Sequence, residues 1–235
     1  MFTETPEAQA IIAWHDSQTE ELLASLPGYE DGLTPRQAWE AFCSLPATKQ
    51  PGEGLAAPAD AGQGAGTQVA ALFVRKSNHY AALGCDCYDH QRDALTWSGG
   101  VPGVFHPPCR AWGQLSHMAK PRPGEKELSL WAMEKVRQFG GVLEHPYASR
   151  LWAEAGCIGF GMRDRFGGVL VPVMQSWWGH RAPKKSCLYI VGPLPEIPFS
   201  EQATVTTVDR MGRPERERTP EAFAIWLVEL ARTCA

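Results

Sequence analysis

The chain has 235 residues, a formal charge of −4, nine tryptophans and nine phenylalanines, so it has material for a substantial core and no overall attraction for nucleic acid. Seven cysteines are an odd count, and no cationic start with an apolar h-region precedes them, which argues against a secreted disulfide framework and for reduced thiols in a cytoplasm. The longest apolar run, Phe223 to Val228, is far too short to span a bilayer, so a soluble protein with no membrane partner is expected.

Residues 1–45 read as a small N-terminal helical appendage in two pieces. Ile11, Ile12, Leu22, Leu23 and Leu26 fall at helical spacing, and Thr34-Pro35 opens a second piece through Trp39 and Phe42. Two such helices cannot stabilise themselves, so they are expected to dock on the main body, on a partner protein or on a second copy in a homodimer. Residues 46–67 shift to Pro, Gly and Ala and read as a flexible linker.

The main body, 68–235, reads as an α/β domain. Val69 to Val74 suits a buried parallel strand, and Gly84 to Asp89 a second strand with acidic residues at its end. Gly103-Val104-Phe105 and Gly141-Val142-Leu143 flank a helix-like stretch from Glu125 to Phe139. Leu128, Ala132, Val136 and Phe139 form its apolar stripe, and Gly140-Gly141 suits a left-handed cap. Strand, helix and strand over this distance predict a crossover with parallel strands. Val169 to Val173 and Cys187 to Val191 are further strands, and Thr219-Pro220 caps a last helix through Ala231.

The crossover has a chemical consequence. His106-Pro107-Pro108-Cys109 follows the first of its strands, and Glu144-His145-Pro146 lies 35 residues beyond that cysteine at the end of the second. Cys109 and Glu144 therefore leave the sheet on one rim, where open α/β sheets hold ligands. A thiolate on such a rim can add to carbon 6 of a pyrimidine and make carbon 5 nucleophilic, provided a carboxyl group steadies the ring nitrogen. Arg110 would hold the thiolate or a phosphate, and His106 and His145 would move protons.

From Val69 to about Arg232, two-thirds of the chain, the order of these motifs resembles phage-encoded relatives of DNA cytosine carbon-5 methyltransferases. Pro107-Pro108-Cys109 resembles that family's nucleophile loop, and Glu144-His145-Pro146 its Glu-Asn motif with histidine for asparagine. Trp178-Gly179-His180, Lys184-Lys185-Ser186-Cys187-Leu188-Tyr189 and Arg218-Thr219-Pro220 are similar to later segments of the phage relatives. The resemblance implies a Rossmann-like, mostly parallel methyltransferase-type sheet flanked by helices, and double-stranded DNA with a base flipped out as the partner. It also implies S-adenosylmethionine as cofactor, with Asp86 or Asp89 on its ribose and Asn78 and Tyr80 beside it. Trp177 and Trp178 would stack on the flipped base, with His180, Lys184 and Lys185 on the substrate.

Two departures accompany the resemblance. The loop from Val74 to Tyr80 has no glycine, so a cofactor cannot approach its backbone closely there. Only about 45 residues separate Glu144 from Tyr189, too few for a separate recognition lobe. The stretch Arg210 to Arg218 reads as a solvated linker or a phosphate contact. Cys85, Cys87 and His90 do not match a common zinc spacing, so no metal is expected. A non-catalytic binding module and an enzyme acting on free pyrimidine nucleotides stand as alternatives to DNA modification.

Overall fold

A computed structural model of the chain describes residues 68–234, apart from 77, 114–115, 158–159, 162 and 199–203, together with Gln37. The N-terminal appendage and linker expected over 1–45 and 46–67 lie outside the described residues.

Six strands form one mixed sheet in the order β2-β1-β3-β4-β6-β5. They are β1 (Ala70–Leu72), β2 (Asp86–Tyr88), β3 (Gly103–Phe105), β4 (Gly141–Pro146), β5 (Gly168–Met174) and β6 (Lys185–Val191). Neighbours among β1 to β4 run parallel, while β6 is antiparallel to both β4 and β5. The helices are α1 (Glu125–Phe139), α2 (Leu151–Glu154), α3 (Arg213–Arg216) and α4 (Glu221–Arg232).

Side-chain alternation along each strand sorts the core into two layers. Ala71, Val104, Val142, Leu188 and Ile190 pack with Phe223, Leu227 and Val228 of α4. Leu72, Phe105, Leu143 and Tyr189 pack with Ala132, Met133 and Val136 of α1 on the other face. The stripe of α1 differs from the expected one: Leu128 and Phe139 are half-buried, and Ser129 and Met133 are buried instead. Ser129 is tolerated there because its hydroxyl donates to the Pro108 carbonyl at 3.0 Å.

The β3–α1–β4 crossover has the expected ends. Gly140 has φ 77° and Gly141 φ 111°, and Gly141 faces Gly103 across the β3–β4 pair. A Cβ on Gly141 would lie 2.1 Å from the Gly103 carbonyl oxygen, so the two strands meet only because this position is glycine. α4 begins after Pro220 with no side-chain cap, so Thr219 does not serve as the expected N-cap.

β1 ends two residues earlier than its apolar run, because Phe73 turns left-handed at φ 61°. Phe73 then packs edge-on to Trp131 with ring centroids 6.0 Å apart. Among the described residues of 73–85, which join β1 to β2, there is no helix. Among the described residues no helix is long and apolar enough to cross a membrane.

Candidate active site

Glu144 lies on β4 with the parity of Val142, so its side chain emerges on the α4 face at the carboxyl rim of the sheet. Three donors converge on its carboxylate. The Ser186 hydroxyl and Gln175 Nε2 donate to Oε1, the latter at 3.1 Å, and His106 Nδ1 donates to Oε2 at 3.1 Å. Ser186 lies on β6 two residues from Leu188, the register partner of Glu144, and Gln175 opens the turn after β5. Gln175 Nε2 also donates to Ser186 Oγ at 2.8 Å, which fixes the direction of the Ser186 proton.

The network extends one residue further. The Tyr80 hydroxyl and His106 Nε2 are 2.6 Å apart. Burial first, and then the Glu144 charge, push the Tyr80 phenol well above its ordinary pKa, so it remains protonated and donates to Nε2. The histidine proton then sits on Nδ1, facing Glu144. Burial alone would raise the Glu144 carboxyl. The His106 hydrogen bond, the Lys184 charge and the Ser186 hydrogen bond outweigh it and bring the pKa down to about 2. Glu144 is thus an enclosed anion, with 12% of its side chain still open.

Cys109 is exposed on the loop after β3. Its carbonyl accepts from the Trp112 and Gly113 amides at 3.0 and 3.1 Å, and Ser129 anchors the preceding carbonyl, so the loop that carries the sulfur is tied to α1. The thiol pKa is raised, first by the protein atoms around the sulfur and then by the Glu144 charge, with Lys184 opposing. The Glu144 and Lys184 charges both act on the thiol, so the three groups share one electrostatic neighbourhood. Lys184 makes no direct side-chain ion pair among the described residues. The thiol form dominates at rest, so nucleophilic attack requires loss of a proton first.

Other residues singled out from the sequence sit elsewhere. Arg110 pairs with Glu125 at the start of α1 rather than with Cys109. His145 has the opposite parity to Glu144 and is buried on the α1 face, edge-on to Trp152 at 5.8 Å, so it cannot pass protons to the same substrate. Trp177 and Trp178 are buried, and Trp178 packs on Phe223 and Trp226 at 4.7 and 4.8 Å, which leaves neither ring available to stack on a base. His180 is buried, its Nδ1 on the Ala182 backbone, and Lys185 lies over the Tyr147 ring at 5.8 Å. The stretch Arg210 to Arg218 is more than a linker, with Arg210, Arg216 and Arg218 exposed. It carries α3, and Glu217 and Glu215 bind Arg75, Arg213 and Arg181.

The residues expected around S-adenosylmethionine are engaged with one another. Asn78 donates to the Arg75 carbonyl and accepts from the Ala81 amide at 3.1 Å, while Tyr80 is buried against His106. Asp86 pairs with Arg92 and accepts from the Tyr88 hydroxyl at 3.1 Å. Asp89 Oδ1 caps its own turn through the Gln91 and Arg92 amides at 2.8 and 3.1 Å. With no glycine between Phe73 and Tyr80 and the polar groups already paired, these residues do not fit an adenosyl cofactor lying against the β1 loop. Among the described residues no group of three side chains is arranged to hold a metal ion.

Gln175 was not singled out in the sequence, and Ser186 only as part of the Lys184 to Tyr189 segment with no role assigned, although each is a polar residue at the rim end of an apolar strand run. Set against protein-family profiles, curated proteins and solved structures, the chain matches none.

Proposed function

We propose that this protein modifies a pyrimidine base in DNA at carbon 5, with a methyl or other one-carbon group. Cys109 is the nucleophile at carbon 6 and Glu144 the group that grips the ring edge. The observation that carries the reading is the shared rim: an exposed thiol and an enclosed, triply bonded carboxylate near enough for the charge of one to act on the other. Loss of the thiol proton gives a thiolate whose attack on carbon 6 leaves carbon 5 electron-rich toward a one-carbon electrophile. Lys184 favours that thiolate, since its charge lowers the Cys109 pKa.

On this reading the chain is a phage-type relative of the cytosine carbon-5 methyltransferases working in a cytoplasm. Its sheet is of the Rossmann-like methyltransferase type, which the parallel run of β1 to β4 supports. Cytoplasmic placement accords with the six described cysteines, all of them free thiols. Expression of the wild type and of Cys109→Ala, followed by digestion of the recipient DNA and mass analysis of its nucleosides, tests the proposal. A modified pyrimidine is expected with the wild type alone; equal modification by both chains rejects the covalent role.

A second reading is a binding module that kept the sheet without the chemistry. The internal pairing of Asn78, Tyr80 and Asp86 favours it. It predicts that Cys109→Ala binds DNA as the wild type does and that neither chain alters a base.

A further inference from the structure

The hydrogen-bond polarity around Glu144 bears on which ring the site accepts. A carboxylate offers about four lone-pair sites, and only acceptors. Ser186 and Gln175 fill two of them on Oε1 and His106 a third on Oε2, leaving one on Oε2.

None of the three donors can be turned round to present an acceptor-seeking hydrogen to a ligand. The Ser186 oxygen accepts from Gln175 at 2.8 Å, so its proton is committed to Glu144. The Gln175 amide is fixed by two acceptors on its nitrogen; its Oε1 is buried without a partner, and a flip would set that oxygen against the carboxylate. Tyr80 holds His106 Nε2 as an acceptor and so keeps the ring proton on Nδ1. Five residues from separate segments of the rim therefore enforce one polarity.

We infer that the ring gripped by Glu144 carries a hydrogen on N3, so that a uracil-type base rather than neutral cytosine is the substrate of this site. The inference rests on the covalent reading of Cys109. N3–H of a uracil ring meets the remaining lone pair directly. N3 of neutral cytosine is itself an acceptor and would set one lone pair against another, in an enclosed place where such a mismatch costs about tenfold to a hundredfold in rate or binding. The cytosine 4-amino group can donate to that lone pair, but N3, where the displaced electron pair collects, then meets no hydrogen, so cytosine reacts here only after taking up a proton at N3.

The test uses the reversible half of the chemistry, which needs no one-carbon donor. The Cys109 thiolate forms the S–C6 bond while the C5=C6 electron pair shifts through C4 onto its exocyclic oxygen in uracil, or onto N3 in cytosine. Carbon 5 takes a solvent proton, then loses its original hydrogen as a proton; the electrons re-form C5=C6 and expel the thiolate. A tritium on carbon 5 thus appears in water with no oxidant or reductant involved. The full chain is incubated with single-stranded oligonucleotides carrying 5-tritiated deoxyuridine or 5-tritiated deoxycytidine.

At pH 7.5 release from uracil is expected to exceed release from cytosine by about tenfold or more. For the wild type, cytosine release should climb as the pH falls toward the acidity of its ring nitrogen, while uracil release should not. Glu144→Gln, whose amide supplies an N–H, should shift the ratio toward cytosine. Cytosine release equal to or faster than uracil release in the wild type at pH 7.5 overturns the inference and leaves Cys109 as nucleophile. Release from neither base overturns the covalent reading and the inference with it.

Discussion

Adjacent residues on β4 meet opposite fates. Glu144 is an anion in a ring of donors, whereas neither ring nitrogen of His145 has a hydrogen-bond partner in the core. Burial holds the His145 pKa down at about 4, with the Glu144 charge opposing. The unfolded chain therefore binds a proton here that the folded chain refuses. The stabilising contribution is complete above about pH 6.5 and falls as the pH drops from there toward 4. His180, also depressed by burial, contributes in the same direction. The Glu144 contribution is separate: it is present above the ordinary carboxyl value of 4.5 and is lost only as the pH falls toward 2. Urea midpoints of the wild type should decline between pH 6.5 and 4, and His145→Leu should decline distinctly less. Equal slopes would mean that His145 is not the group refusing the proton.

At the scale of elements, the β3–α1–β4 unit was the most legible part of the chain. The glycine pair after Phe139 and two short apolar runs sufficed to set its ends, since turn chemistry and burial there agree with local propensity. Gly141→Ala should cost about 3 kcal/mol, because it combines a left-handed φ with a clash against backbone, and it should lower the melting temperature by roughly 10 °C. Gly124, with φ 79°, has nothing within 4 Å of an added Cβ. Gly124→Ala should therefore cost only about 1 kcal/mol. Similar melting losses in both variants would show that the close approach of β3 and β4 does not matter. β1 was less legible, because nothing in an apolar run reveals that a phenylalanine in its middle turns left-handed. Ser129 misled in another way: a buried serine reads as the polar face of a helix until the carbonyl it bonds is known.

Across the whole molecule, the half of the site built by the crossover could be read from the chain and the half built by distant pairing could not. Cys109 and Glu144 are joined by one local unit, so spacing alone brought them to one rim. Ser186 and Gln175 reach Glu144 only because β6 reverses between β4 and β5, an arrangement with no local mark in the sequence. Trp177 and Trp178, attractive as stacking platforms, are instead packed where α4 covers the sheet. What the assembled rim offers is a cysteine on an exposed loop and an enclosed anion at the same end of the sheet, both within the influence of Lys184. The most direct measurement is deuterium uptake at carbon 5 of a pyrimidine oligonucleotide in heavy water, read by nucleoside mass analysis for the wild type and for Cys109→Ala. Uptake catalysed by the wild type and abolished in the variant is the predicted result; uptake that survives loss of the sulfur, or no uptake by either chain, contradicts the account.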